Sequence, residues 1–145
     1  METASTLRWL KLASAVVIGF GILTALAALP WAAGPTVLLT DLILFPLDGG
    51  QSLSAPETRI LVAILGGALA GWGVLLWQAT TRVYAQHPVL GRSLILTSIG
   101  IWFCIDSTAS VLAGAPFNVL LNVPFLAMFV LPLWQKPTPL TTQLP

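Results

Sequence analysis

Four stretches of this chain, at about 7–29, 55–79, 92–113 and 116–134, are each long and apolar enough to form a helix that crosses a lipid bilayer. Roughly 30 Å of hydrocarbon takes about 20 apolar residues at 1.5 Å each, and inside lipid every backbone N–H and C=O must find its partner within the segment. A helix meets both demands. The pattern therefore predicts an all-α integral membrane four-helix bundle, with 1–145 as a single domain. Composition agrees, since 57% of the residues are hydrophobic and only 8% charged, against roughly 25% charged in soluble domains. A net charge of +1 spread over scattered basic residues offers no patch for nucleic acid.

Proline and glycine punctuate the stretches. Pro30 stops the first, because its ring cannot continue the helical ladder. Ser54-Ala55-Pro56-Glu57 reads as a capping box opening the second, with Ser54 as N-cap and Glu57 at the third helical position. Pro116 opens the fourth, which carries Pro124 inside it. Arg8 and Lys11 ahead of an apolar run would also suit a signal peptide. That run of about 18 residues exceeds the usual 7–15, so a retained helix is expected. Between the first two helices, 35–46 is too short to span and too apolar for a free loop, and it reads as a short interfacial helix or one dipping back toward the bundle. Leu47-Asp48-Gly49-Gly50 reads as a turn, and 137–145 as a disordered tail.

Charge then sets the orientation. Arg8, Lys11, Arg82, Arg92 and Lys136 fall on one side of a four-helix arrangement, whereas Arg59 is alone on the other with Asp41, Asp48 and Glu57. The positive-inside rule places both termini in the cytoplasm of a cell whose inner, or plasma, membrane holds the chain. Trp9, Trp77, Tyr84 and Trp134 at the cytoplasmic boundary, and Trp31 at the outer one, are expected as interface anchors.

Asp106 is the single acidic residue in the interior of the long apolar stretches, Glu57 lying in the first turn of its own. An ionisable group in hydrocarbon costs several kcal/mol even on mild insertion scales, so it needs a partner, a cavity or a function. Cys104, Ser107, Thr108 and Ser110 share its helix, and Asn118 and Asn122 lie one turn apart on the next. Because only a short turn at Gly114 joins these helices, they must be antiparallel neighbours, which sets Asn122 within reach of Asp106. Pro124 leaves the Leu120 carbonyl without its helical donor beside them. The expected polar intramembrane site is Asp106, Ser110, Asn118 and Asn122, with Arg59 reaching down as a possible counter-ion. On the second helix Gly66, Gly67 and Gly71, including a Gly67-x-x-x-Gly71 pair, mark a packing face inside the chain or between chains. Trp72 and Trp102 fall at equal depth near the middle, each needing an acceptor for its indole N–H.

The chemistry that is absent narrows the function. His87 is the lone histidine and sits in a connection, so no bis-histidine haem or histidine-ligated metal is expected within the helices. Cys104 is the lone cysteine, which removes the four-helix quinone-linked disulfide oxidoreductases with their Cys-x-x-Cys. No nucleophile–base arrangement is evident, so neither enzyme activity nor a cofactor is expected. In size and hydropathy the chain resembles the small four-helix bacterial membrane proteins of the DoxX-like group, a likeness that covers the whole chain and transfers no residue role. Small multidrug transporters are also four-helix proteins, but their membrane carboxylate lies in the first helix, where this chain has none. The expectation is a non-catalytic accessory subunit whose partners are the bilayer and other membrane subunits, or further copies of itself. The alternatives are a proton- or cation-coupled carrier using Asp106 and an assembly factor that binds lipid or pigment in the outer polar pocket.

Overall fold

The computed structural model describes residues 3–134, and the tail expected at 137–145 lies outside the described residues. Five helices and no strand occur among them: α1 (Thr3–Leu26), α2 (Gly34–Ile43), α3 (Pro56–Gln78), α4 (Pro88–Leu112) and α5 (Phe117–Val130). A π-helical turn, Ala79–Tyr84, prolongs α3. Three helical segments are long and apolar enough to cross a membrane: Ala4–Leu26, Pro56–Tyr84 and Pro88–Leu112. The fourth stretch is shorter than its sequence suggests, with 14 helical residues in α5, or about 21 Å of rise.

Proline accounts for most of the shifted boundaries. Pro30 holds Leu29 in an extended conformation and opens a short 3-10 turn, so α1 ends at Leu26 rather than near 29. Pro88 begins α4 four residues before the expected 92, its fixed φ suiting the first helical position. Pro56 likewise holds Ala55 extended at φ −67°, ψ 136°, and this overturns the capping box: Ala55 is the N-cap and makes no side-chain cap. Ser54 instead pairs with Ser52, the two hydroxyls 2.9 Å apart. At the end of α5, Pro132 has no N–H to give the Met128 carbonyl, and Trp9 Nε1–H donates to that oxygen at 2.9 Å.

Close backbone approach joins α1 to α3. A Cβ on Gly66 would lie 2.2 Å from the Ala25 nitrogen, and one on Gly21 would lie 2.3 Å from the Ala70 nitrogen, so the two chains touch where side chains are absent. The pairing of 21 with 70 and 25 with 66 makes these helices antiparallel. Gly67 and Gly71 face outward with nothing near them, so the small-residue pair read from the sequence lies beside the internal contact and not in it. Close contact between α4 and the α3 helix concentrates at the π-helical turn, where Gly91 meets Tyr84. Tyr84 is consequently 6% exposed and part of the core instead of an interface anchor. That core, built of Leu10, Val17, Leu76, Ile95, Ile99, Phe129 and Leu133, fills the end of the molecule bearing Arg8, Arg82 and Arg92. The outward faces remain apolar, with Ile60, Leu61, Ile64 and Leu75 on α3 and Ile101, Ile105 and Leu112 on α4 all exposed.

Candidate functional site

Toward the Gly114 end the helices part around a cavity of about 410 Å³ to which all five contribute. The parting follows from the packing: α1 and α3 are held together by glycines, while α4 approaches α3 closely only at the opposite end. Short α2 lays Thr36, Leu39, Thr40 and Ile43 over the cavity, which places the segment expected at 35–46 as a cap. Phe45 stacks obliquely on Phe117 with centroids 4.8 Å apart, holding the end of α2 against α5. Asp41 turns the other way. It is buried, and both of its carboxylate oxygens accept the Gly49 N–H at 3.2 Å, tying the turn after α2 back to that helix. Gly49 has φ +71°, a conformation that favours glycine.

One wall of the cavity is polar. Gly114, at φ +83°, turns α4 sharply into α5 and aligns Asn118 and Asn122 with the last turns of α4. Asn122 Nδ2 donates to Asp106 Oδ2 at 2.5 Å and to Ser107 Oγ at 3.3 Å. Asn118 Nδ2 donates to the same Asp106 oxygen at 2.9 Å and to Ser110 Oγ at 2.8 Å. A carboxamide NH₂ has two hydrogens, so both donors of both asparagines are spent within the cluster. Asp106, Ser110, Asn118 and Asn122 are thus brought together, with Ser107 added. Arg59 is not. Its Nε donates to the Leu53 carbonyl at 3.4 Å, because a residue one turn into α3 folds its side chain back over the preceding loop, and it does not line the cavity.

The remaining walls are apolar and aromatic. Trp72 and Trp102 face each other with centroids 5.7 Å apart, Phe20 and Phe125 lie at 5.3 Å, and Trp102 and Phe125 at 6.3 Å. Trp72 Nε1–H donates to Ser98 Oγ at 2.9 Å. Trp102 Nε1–H has no hydrogen-bond partner among the described residues. Sequence reasoning also missed Thr24 and Thr40, which line the cavity and whose hydroxyls donate to the carbonyls of Phe20 and Thr36 at 2.9 and 2.8 Å. The signal was available, since a threonine in a helix commonly bonds the carbonyl four residues back. Among the described residues no three His, Cys, Asp or Glu side chains converge as metal ligands would. The arrangement is a carboxylate held by two amides at one wall of an aromatic chamber.

No family model, no curated protein and no solved structure matches this chain.

Proposed function

We propose that the chain is a non-catalytic integral protein of the plasma membrane that holds one small amphiphile in the cavity beneath α2. The observation that carries this reading is the cavity itself. Its volume of about 410 Å³ falls within the roughly 300–1,000 Å³ of small-molecule sites, and it combines apolar walls with a few convergent polar groups as such sites do. The exposed apolar faces of α3 and α4 suit lipid contact, and the basic residues at the Arg92 end favour cytoplasmic termini, which puts the cavity in the outer half. With α5 completing the set, four helices would cross, the last by virtue of its flanking turns. Holding is favoured over carrying because Leu10, Ile95, Phe129 and Leu133 fill the opposite half, where the buried polar residues described are the hydroxyl-bearing Thr6, Ser14 and Thr80 and include no second carboxylate.

The accessory-subunit reading has its own support. Gly67 and Gly71 lie on an outward face where a Cβ would meet nothing, leaving room for a helix of another chain to approach closely. The two readings are compatible, and native mass measurement after mild detergent extraction separates them. One small amphiphile per chain, released by organic solvent, is the outcome expected for the binding reading. A bare chain accompanied only by unrelated subunits would discard it in favour of the accessory role.

A further inference from the structure

The hydrogen-bond inventory of the cavity restricts the head group of its occupant. Both amides of Asn118 and Asn122 have spent their hydrogens on Asp106 Oδ2, Ser107 and Ser110, and the hydroxyls of Thr24 and Thr40 have spent theirs on backbone carbonyls. Trp72 has spent its N–H on Ser98. Ser107 and Ser110, which accept from the asparagines, do not line the cavity, so what its polar wall still presents is chiefly lone pairs, above all on Asp106 Oδ1, which receives no hydrogen bond among the described residues. Among the described residues, Asp106 is also the one ionisable side chain lining the cavity, and no basic residue lines it. Directly beside this acceptor stand the aromatic faces: Trp102 lies one turn before Asp106 on the same face of α4, packed against Trp72 and Phe125.

An unanswered carboxylate oxygen next to indole and phenyl faces is complementary to a cation that donates N–H. We propose that the cavity takes a protonated lipophilic amine, its ammonium on Asp106 Oδ1 and its apolar body between Phe20, Trp72, Trp102 and Phe125. An anionic head would face the Asp106 carboxylate in a chamber of low dielectric, where like charges repel strongly. A head with carbonyl oxygens alone would leave Asp106 Oδ1 unmet, and among the described lining residues it would find only the Thr36 hydroxyl and the Trp102 N–H to accept from. The inference rests on the cavity being a ligand site.

Three probes with one tail test it: phenylbutylamine, phenylbutanol and phenylbutyrate, which at neutral pH carry a cation, a neutral hydroxyl and an anion. Binding to the detergent-solubilised full chain is followed by tryptophan fluorescence and by calorimetry. The expected order is amine first, tighter than the alcohol by about ten-fold or more, with the carboxylate weakest. Asp106→Asn is expected to bring amine and alcohol to within about three-fold of each other, and retained binding of the alcohol shows that the chamber is intact. Asp106→Glu is expected to keep the amine preference. Equal binding of amine and alcohol by the unmodified chain, or an amine preference that survives Asp106→Asn, overturns the head-group assignment while leaving the cavity reading in place. Failure of all three probes to bind the unmodified chain removes the cavity reading itself.

Discussion

Replacing Gly66 by alanine tests the packing that holds the cavity open. The added Cβ would lie 2.2 Å from the Ala25 nitrogen and 2.6 Å from the Gly21 carbonyl oxygen, so it falls about 1.2 Å short of the 3.4 Å at which ordinary contact begins. Its neighbours are backbone atoms, which cannot rotate aside, so α1 and α3 must separate along their whole contact. Overpacking of this kind costs about 1–3 kcal/mol, and alanine returns up to about 1 kcal/mol of helix propensity over glycine. With the full return the net expectation is a loss of up to about 2 kcal/mol. Gly67, one residue along, faces open space, so Gly67→Ala should gain up to about 1 kcal/mol. The propensity gain is common to both variants, so they should differ by the overpacking cost, about 1–3 kcal/mol. Reversible unfolding by SDS titration in mixed micelles reads the difference directly. The reasoning fails if Gly67→Ala costs as much as Gly66→Ala, because then the outer pair and not the inner one carries the contact.

Three further substitutions probe separate parts of the account. Thr80 lies wholly buried in the π-helical turn with its hydroxyl unpartnered, so Thr80→Val should be neutral or stabilise by about 1 kcal/mol; a clear loss by the same titration would reveal a partner for that hydroxyl. Asp106→Leu strands two amide donors, those of Asn118 and Asn122, and should lower stability by about 1–3 kcal/mol, whereas Asp106→Asn keeps an acceptor oxygen there and should be nearly neutral in unfolding. Trp72→Phe removes the donor to Ser98 but keeps an aromatic ring against Trp102, so it should cost only about 1 kcal/mol while leaving Trp102 as the one tryptophan that lines the cavity.

Much of this architecture is legible in the amino-acid sequence because proline and hydrocarbon length are local constraints. The helical stretches follow from them, and so does the meeting of Asp106 with Asn122, since a turn as short as that at Gly114 leaves two helices no choice but to run back alongside each other. Other features depend on which face turns inward, and helices apolar all round carry no periodic mark of that choice. Gly66 and Gly67 are indistinguishable neighbours until α1 is present. Gly21, Gly73 and Gly91 gain meaning only from the residues they touch. Arg59 looked able to reach Asp106 by counting turns, yet its own preceding loop offers the nearer carbonyl at Leu53. The cavity itself is a property of how α4 diverges from α3, set by side-chain volumes at the Tyr84 end, and no residue type announces it.

On the proposed reading the space beneath α2 is a ligand site and not a packing void. Leu69 lines it from α3, and the decisive measurement is the thermal unfolding midpoint of Leu69→Trp with and without phenylbutylamine. Filling a void raises the midpoint of the ligand-free chain, and filling a ligand site also abolishes the upward shift that ligand gives the parent by mass action. The account predicts both effects together. A Leu69→Trp chain that still responds to the amine as the parent does would contradict it.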